Sequence, residues 1–355
     1  MDVKCVASCL SLLVMLLLAA CVRDILAPLP TLPESRGTQV VTGDSVALYG
    51  EFGWSADGRS IFFQPDTSEA ALMVAPIEGG EPAQVDEVRD SYRDVHASAD
   101  GSALFFTADE DDDLRTVYRL PLGGGTAQAI GTTRAEVAIL PSEGSLVLPA
   151  PSGDSAAVVI APDSLFLIGT AGRRYVAECD RLLVFSPAGD AILCRRGSGE
   201  NVQFGMVSLA TGIVELVDAT GPEDTPPSML NWTAAGLEVL YSSASGLFIR
   251  NVDSGATTQV WTMPRTRVFT DPRYMAWTTD GATIAFWTHL CLDRSGAAVC
   301  ARGQSQLHLI DRTGATDRIV AVAEGAVGGQ YLAFSRDGAR IAYVFEKGIY
   351  HVATR

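Results

Sequence analysis

Seven cysteines, four histidines and one run of acids are the residues of this 355-residue chain whose chemistry is most specific. Cys179 and Cys194 are centred on the turn Ser186–Gly189, which would set them across from one another on two antiparallel strands. Cys291 and Cys300 bracket the stretch Leu292–Val299. Two local disulfides are the economical pairing, and a zinc site is the alternative, although no histidine pair supplies further ligands at finger-like spacing. His96, His289, His308 and His351 lie in four different segments. His308, inside Gln306–Ile310, reads as a hydrogen-bonded structural group, whereas His289, two residues from Cys291, is the one candidate ligand. The run Asp109–Asp113 places carboxylates at alternate positions as a calcium loop does. It has Leu114 where such a loop needs glycine at its sixth position, so it reads as a solvated turn. No Gly-x-Ser-x-Gly elbow occurs. The expectation is a chain with no catalytic residue, no metal and no cofactor.

The elements that would carry these residues are short and repeated. Trp54-Ser55-Ala56-Asp57-Gly58 precedes Ile61-Phe62-Phe63, and the same grammar recurs at Ala97–Gly101, Trp277–Gly281 and Phe334–Gly338, with weaker copies at Leu140–Gly144, Phe185–Gly189 and Trp232–Gly236. Successive glycines of this set lie 43, 43, 45, 47, 45 and 57 residues apart. A period near 45 with four short apolar strands per unit predicts an all-β fold, a seven-bladed β-propeller of four-stranded antiparallel blades. The last unit ends at its third strand, Gly348–Val352, while Thr38–Val41 looks like a fourth strand without a blade before it. Pairing the two would close the ring and remove two sheet edges.

The front of the chain has a different character. Leu10–Ala20 is uncharged and apolar and runs into Cys21. An apolar run of this length is typical of a signal-peptide core. Leu18-Ala19-Ala20-Cys21 resembles the bacterial lipobox, which implies removal of residues 1–20 and acylation of Cys21, with Val22 next to it implying the outer membrane facing the periplasm. An uncleaved anchor is the alternative, since Cys5–Val22 is a continuous uncharged run. Residues 21–36, with Pro28, Pro30 and Pro33, read as an extended tether, and 37–355 as the propeller. On this reading Cys5 and Cys9 leave with the signal, and four cysteines remain for an oxidising compartment.

Composition narrows the partners. Lys+Arg 26 against Asp+Glu 42 gives a net charge of -16, which repels phosphate backbones and anionic lipid surfaces. Nucleic acid is therefore excluded as an expected partner. Amphipathic helices long enough to cross between parallel strands are missing, which argues against an α/β enzyme.

The pattern Trp/Phe-Ser-x-Asp-Gly-x-x-Ile/Leu-x-Phe/Tyr resembles the WD40-like repeat of TolB-type propellers, over essentially everything from Gly37 onward. The resemblance implies an exported propeller that binds proteins or peptides. The chain departs from TolB in lacking the α/β domain that precedes the propeller there, and from prolyl-oligopeptidase-type peptidases in lacking the hydrolase domain.

If the Asp-Gly turn joins the first and second strands, all seven copies lie on one face. The opposite face then carries the variable connections, among them Asp109–Asp113, His289–Gly303, Asp86–Asp94 and Met263–Arg273. Recognition is usually placed on such loops. Tyr92, Arg93, Arg265, Arg267, Arg273 and Tyr274 are the candidate contacts, being residue types suited to protein or peptide surfaces. The expected function is thus a lipid-anchored, monomeric, non-enzymatic scaffold for an envelope protein or peptide. The alternative is a hydrolase or polysaccharide-binding propeller with its site at the channel mouth.

Overall fold

The computed structural model describes the chain from Ser35 to Arg355. Outside the described residues lie 1–34, 42–51, 66–69, 99, 112–113, 135–146, 152–154, 161–163, 170–171, 187, 197–202, 218–228, 234–235, 244, 264–268, 292–302, 325–330 and 346–347. The side chains of 70, 88–91, 109–111, 114, 133–134, 229–230, 269–274 and 290–291 lie outside them as well. Cys21, Arg265, Arg267 and Cys300 fall in this group.

The structure is a ring of seven four-stranded antiparallel blades. The fifth blade shows the pattern, with strands Met229–Thr233, Gly236–Ser243, Gly246–Asn251 and Thr257–Thr262 from the axis outward. The closing strand is where the repeat count placed it: Thr38 pairs with His351, Gln39 with Tyr350 and Val41 with Ile349. It completes the seventh blade on the outside of Gly348–Ala353. The first two blades share one strand, Ala83–Ala97, the outer strand of one and the inner strand of the next. The stretch Asp86–Asp94, read as a loop, is therefore extended chain with register shifts between Asp90 and Arg93 and between Arg93 and His96.

Strand alternation builds the core. Ile61 and Phe63 face the seventh blade while Phe62 between them faces the second. The described residues form seven buried clusters, and each occupies one blade junction, including the junction of first and last. Because the blades pack on both faces, the second strands are apolar on both sides, as in Ser155–Ile160 and Arg340–Phe345, while outer strands such as Val214–Val217 stay exposed.

The turn that repeats in the sequence has a local cause. Ser55 Oγ donates to Asp57 Oδ1 at 2.6 Å and accepts from Ser60 N at 2.9 Å, while Asp57 Oδ1 accepts from Arg59 N at 3.0 Å. Gly58 takes φ 65°, which a side chain would resist. Ser98 with Asp100 and Ser335 with Asp337 repeat the arrangement. The hydroxyl of Ser98 and the amide of Ser102 hold the exposed Asp100 carboxyl down at about 2. Ser98→Ala should raise the Asp100 pKa toward its ordinary value, read by NMR titration; an unmoved carboxyl would refute the assignment.

Two copies depart from the sequence reading. In the third blade the hairpin closes between Ala150 N and Ser155 O at 2.9 Å, so its turn follows Val147–Pro149 and is not the one at Gly144. Ala150-Pro151-Ser152-Gly153 keeps the spacing to the next apolar strand but lacks both the serine at its head and the aspartate. In the fifth blade Thr233 pairs directly with Gly236, a tighter hairpin.

The first predicted disulfide, Cys179–Cys194, is present, with Cα atoms 5.8 Å apart. The predicted register is not. Cys194 lies opposite Leu182, and Cys179 precedes the strand Arg181–Phe185, on the link from the third blade. A register shift between Leu182 and Val184 moves the pair off centre. The bond thus ties an inter-blade link to the second strand of the fourth blade. Cys194→Ser should cost about 3 kcal/mol, the chain-entropy value for a loop closed over a sequence separation of 15. Urea unfolding with and without reductant checks this, and identical midpoints would refute it.

Candidate functional site

The innermost strands leave an axial cavity of about 620 Å³. All seven blades contribute to it, through Trp54, His96, Pro149, Phe185, Trp232, Thr279 and Phe334 among others. That volume lies within the ordinary range of ligand pockets, about 300–1,000 Å³. The wall is mainly aromatic and apolar, and its lining includes no Asp, Glu, Lys or Cys among the described residues. Arg336 brings a cation to the rim, and Asn231 and several serines bring hydrogen-bonding groups.

The aromatic wall is the first position of the repeated motif. Trp54, Phe185 and Phe334 end their inner strands and Trp232 stands one residue before the end of its own; all four line the cavity while packing into the blade junctions. Trp54 also donates its indole N–H to Ala333 O at 3.0 Å, across the junction that closes the ring. The Trp232 Nε1 has no hydrogen-bond partner among the described residues. The motif was legible in the sequence, but the destination of its leading aromatic was not. Turn residues Ser55, Ala56, Ser98, Pro151, Ser186 and Arg336 line the same cavity. It therefore reaches the face that carries the uniform turns.

Of the predicted contact residues, Arg265 and Arg267 and the side chains of Arg273 and Tyr274 lie outside the described residues, and Tyr92 and Arg93 are described. Tyr92 is 3% exposed. Its hydroxyl has two acceptors within reach of its one proton, Asp86 Oδ2 at 2.9 Å and Glu87 O at 2.5 Å, its amide donates to Gln64 Oε1 at 2.9 Å, and its ring packs 5.1 Å from Phe106. An amphipathic ring with acceptors nearby is better satisfied between blades than in water. Arg93 is half-buried in the shared strand, opposite Thr107. Arg273 and Tyr274 belong to the inner strand Phe269–Trp277 of the sixth blade, so the link Met263–Arg273 is shorter than read. Cys291 ends the strand Thr283–Cys291 opposite Gly303, and its pairing with Cys300 falls outside the described residues. The acidic run is also partly strand, with Asp109 opposite Arg115 and Asp111 opposite Leu114.

The sixth blade holds a polar chain that has the connectivity of a catalytic triad without its access. Thr288 Oγ1 lies 3.0 Å from His308 Nε2, His308 Nδ1 lies 2.8 Å from Asp317 Oδ1, and Trp261 of the fifth blade donates to Asp317 Oδ2 at 3.0 Å. Thr288 is 1% exposed, and Phe286 stacks on the imidazole at 5.0 Å. A substrate cannot reach the hydroxyl, so the chain staples blades five and six. This is the structural role expected of His308. His289 Nδ1 meets Ser305 Oγ at 3.2 Å, and burial lowers its pKa. Among the described residues no three His, Cys, Asp or Glu converge as a metal site would require.

Burial pushes the Asp317 carboxyl up, but the His308 hydrogen bond and charge and the Trp261 N–H outweigh it and leave its pKa below the ordinary value. A depressed carboxyl stabilises the fold above its unfolded pKa, about 3.9, and loses that contribution as pH falls through the lower folded value. Asp317→Asn should therefore be destabilising at pH 6 and progressively less so toward pH 2. Parallel urea midpoints at each pH check this; a difference constant with pH would count against it.

No family model matches the chain, and no curated protein matches it by sequence. Solved structures do match in shape. An oligogalacturonate lyase in complex with manganese has a TM-score of 0.55 at 13% identity, over 88% of this chain and 84% of that one. The β-propeller domain of Myceliophteria thermophila Cps50 (Swd1) also has 0.55 at 13%, over 91% and 100%. TolB from Acinetobacter baumannii has 0.46 at 13%, over 85% and 64%. At such identities the likeness to the lyase and to the Cps50 domain shows the β-propeller fold alone.

Proposed function

We propose that this propeller is a non-enzymatic binding protein of the bacterial envelope, held there through acylated Cys21, and that its axial cavity receives a protein or peptide segment bearing apolar or aromatic side chains. The observation that carries the reading is the cavity wall, to which four blades contribute the leading aromatic of their motif. Aromatic and apolar pockets anchor the few side chains that dominate protein–peptide affinity. The Arg336 guanidinium at the rim suits an acidic flank on the segment. The location rests on the sequence: the apolar run Leu10–Ala20, the site Leu18–Cys21 and the Pro-rich tether. The cavity is taken as the centre of recognition ahead of the variable-loop face, one of whose candidate contacts, Tyr92, is buried in the core.

Crosslinked cell envelopes test the reading. Wild-type protein, Trp232→Asp and Arg336→Glu are captured in parallel, the last being an exposed rim change that leaves the core intact. A partner retained by wild type and reduced at least tenfold in both variants is the expected result, corresponding to about 1.4 kcal/mol or more. A partner set unaffected by either variant would refute recognition through the cavity.

A further inference from the structure

The strand that closes the ring also records the direction from which the chain arrives. Ser35 N donates to Val322 O at 3.0 Å and Val322 N donates to Ser35 O at 2.6 Å, an antiparallel pair on the open edge of the sixth blade. Its outer strand Asp317–Glu324 begins at the turn face, where Asp317 lies opposite Ile310. It ends toward the loop face, where Glu324 lies opposite Gln304. A chain antiparallel to it at Ser35 is therefore travelling away from the loop face. It reverses at Gly37, whose φ is 72°, and runs back as Thr38–Val41 toward the loop face. The Tyr343 hydroxyl donates to Arg36 O, and the Arg36 guanidinium lies 5.0 Å over the Phe345 ring, so this entry is pinned on both sides of the backbone.

Cys21 precedes Ser35 by fourteen residues, a reach of at most about 50 Å when fully extended. We propose that the anchor draws the loop face of the propeller toward the membrane and leaves the turn-face mouth of the axial cavity opening away from it. The proposal rests on the reading of Cys21 as the acylated residue. The net charge of -16 gives the chain as a whole no attraction to anionic headgroups, and the entry direction at Ser35 is the feature from which the orientation is argued. Turn residues Ser55, Ser98, Ser186 and Arg336 rim the cavity, so the mouth left open is one the binding segment can enter from the periplasmic side.

Energy transfer on vesicles reads the orientation directly. Membrane-extracted, processed protein is reconstituted in phosphatidylethanolamine–phosphatidylglycerol vesicles with a headgroup acceptor dye. A fluorescent amino acid replaces Thr262, at the loop-face end of the strand Thr257–Thr262, or Ala256, just before its turn-face end. Both positions are exposed. They are separated by about 20 Å at ~3.3 Å per residue, which corresponds to roughly twofold greater transfer from position 262. Equal transfer, or greater transfer from position 256, overturns the proposal. Intact mass of the same preparation reports acylation of Cys21 separately. A chain with unmodified Cys21, still membrane-bound and still transferring more from 262, would retain the orientation and remove the acyl anchor. A chain that does not join the vesicles overturns both.

Discussion

Val41→Asp is expected to cost about 4 kcal/mol or more and to open the ring between its first and last blades. Val41 is 4% exposed and packs with Phe52, Ile61, Ile349 and Val344 at the junction where the two ends of the chain meet. A carboxylate there must either be buried without a partner or pull the closing strand off Gly348–Ala353. The second outcome exposes sheet edges at that junction, so aggregation should accompany the loss of stability. Thr38→Asp, on the same strand but exposed, is the control and should stay within about 0.5 kcal/mol of wild type. Urea unfolding followed by tryptophan fluorescence compares them. Equal effects would show that the strand does not close the ring.

Arg312→Ala should cost about 3 kcal/mol, the lower end for removing one partner of a buried ion pair. In the fifth blade the turn itself carries no aspartate, and Glu238 beyond it accepts the hydroxyl hydrogen bond instead. Glu238 is 2% exposed, accepts from Thr233 Oγ1 at 2.7 Å, and pairs with the Arg312 guanidinium of the sixth blade. Arg312 also donates to Thr233 Oγ1 at 3.1 Å. Removing it leaves a buried carboxylate with a single hydroxyl. The double variant Arg312→Ala/Glu238→Gln should recover most of the loss, because the unpaired charge is gone. If the double variant is no more stable than the single one, the effect comes from lost packing of the arginine stem instead.

Fold and closure were legible before any coordinates. The Ser-x-Asp-Gly turn is a local device whose hydrogen bonds all fall within six residues, so its spacing could be read as blade spacing. Apolar runs on both sides of it marked the short strands of each unit. The orphan strand Thr38–Val41 and the incomplete last unit were complementary, and their pairing followed. His308 as a structural group was also legible, since a lone histidine in an apolar strand needs hydrogen-bond partners.

What depended on distant residues could not be read in advance. Turn spacing misplaced the third hairpin, because without serine and aspartate only Ala150 to Ser155 pairing identifies it. Cys179 and Cys194 were paired correctly, but a single register shift at Leu182–Val184 decided which residues oppose each other. Tyr92 carried the residue type of a contact and the position of a loop, yet Asp86, Gln64 and Phe106 draw it inward. Glu238 had no visible reason to be buried until Arg312, from another blade, reached it. The same holds for the axial cavity. Five of the seven copies show an aromatic before the turn, but only the closed ring brings Trp54, Phe185, Trp232 and Phe334 around one cavity. Local hydrogen bonds and strand periodicity are written within a few residues of chain, and they determined the blades; side-chain burial, register and the cavity depend on which blade stands next to which, and only ring closure decided them.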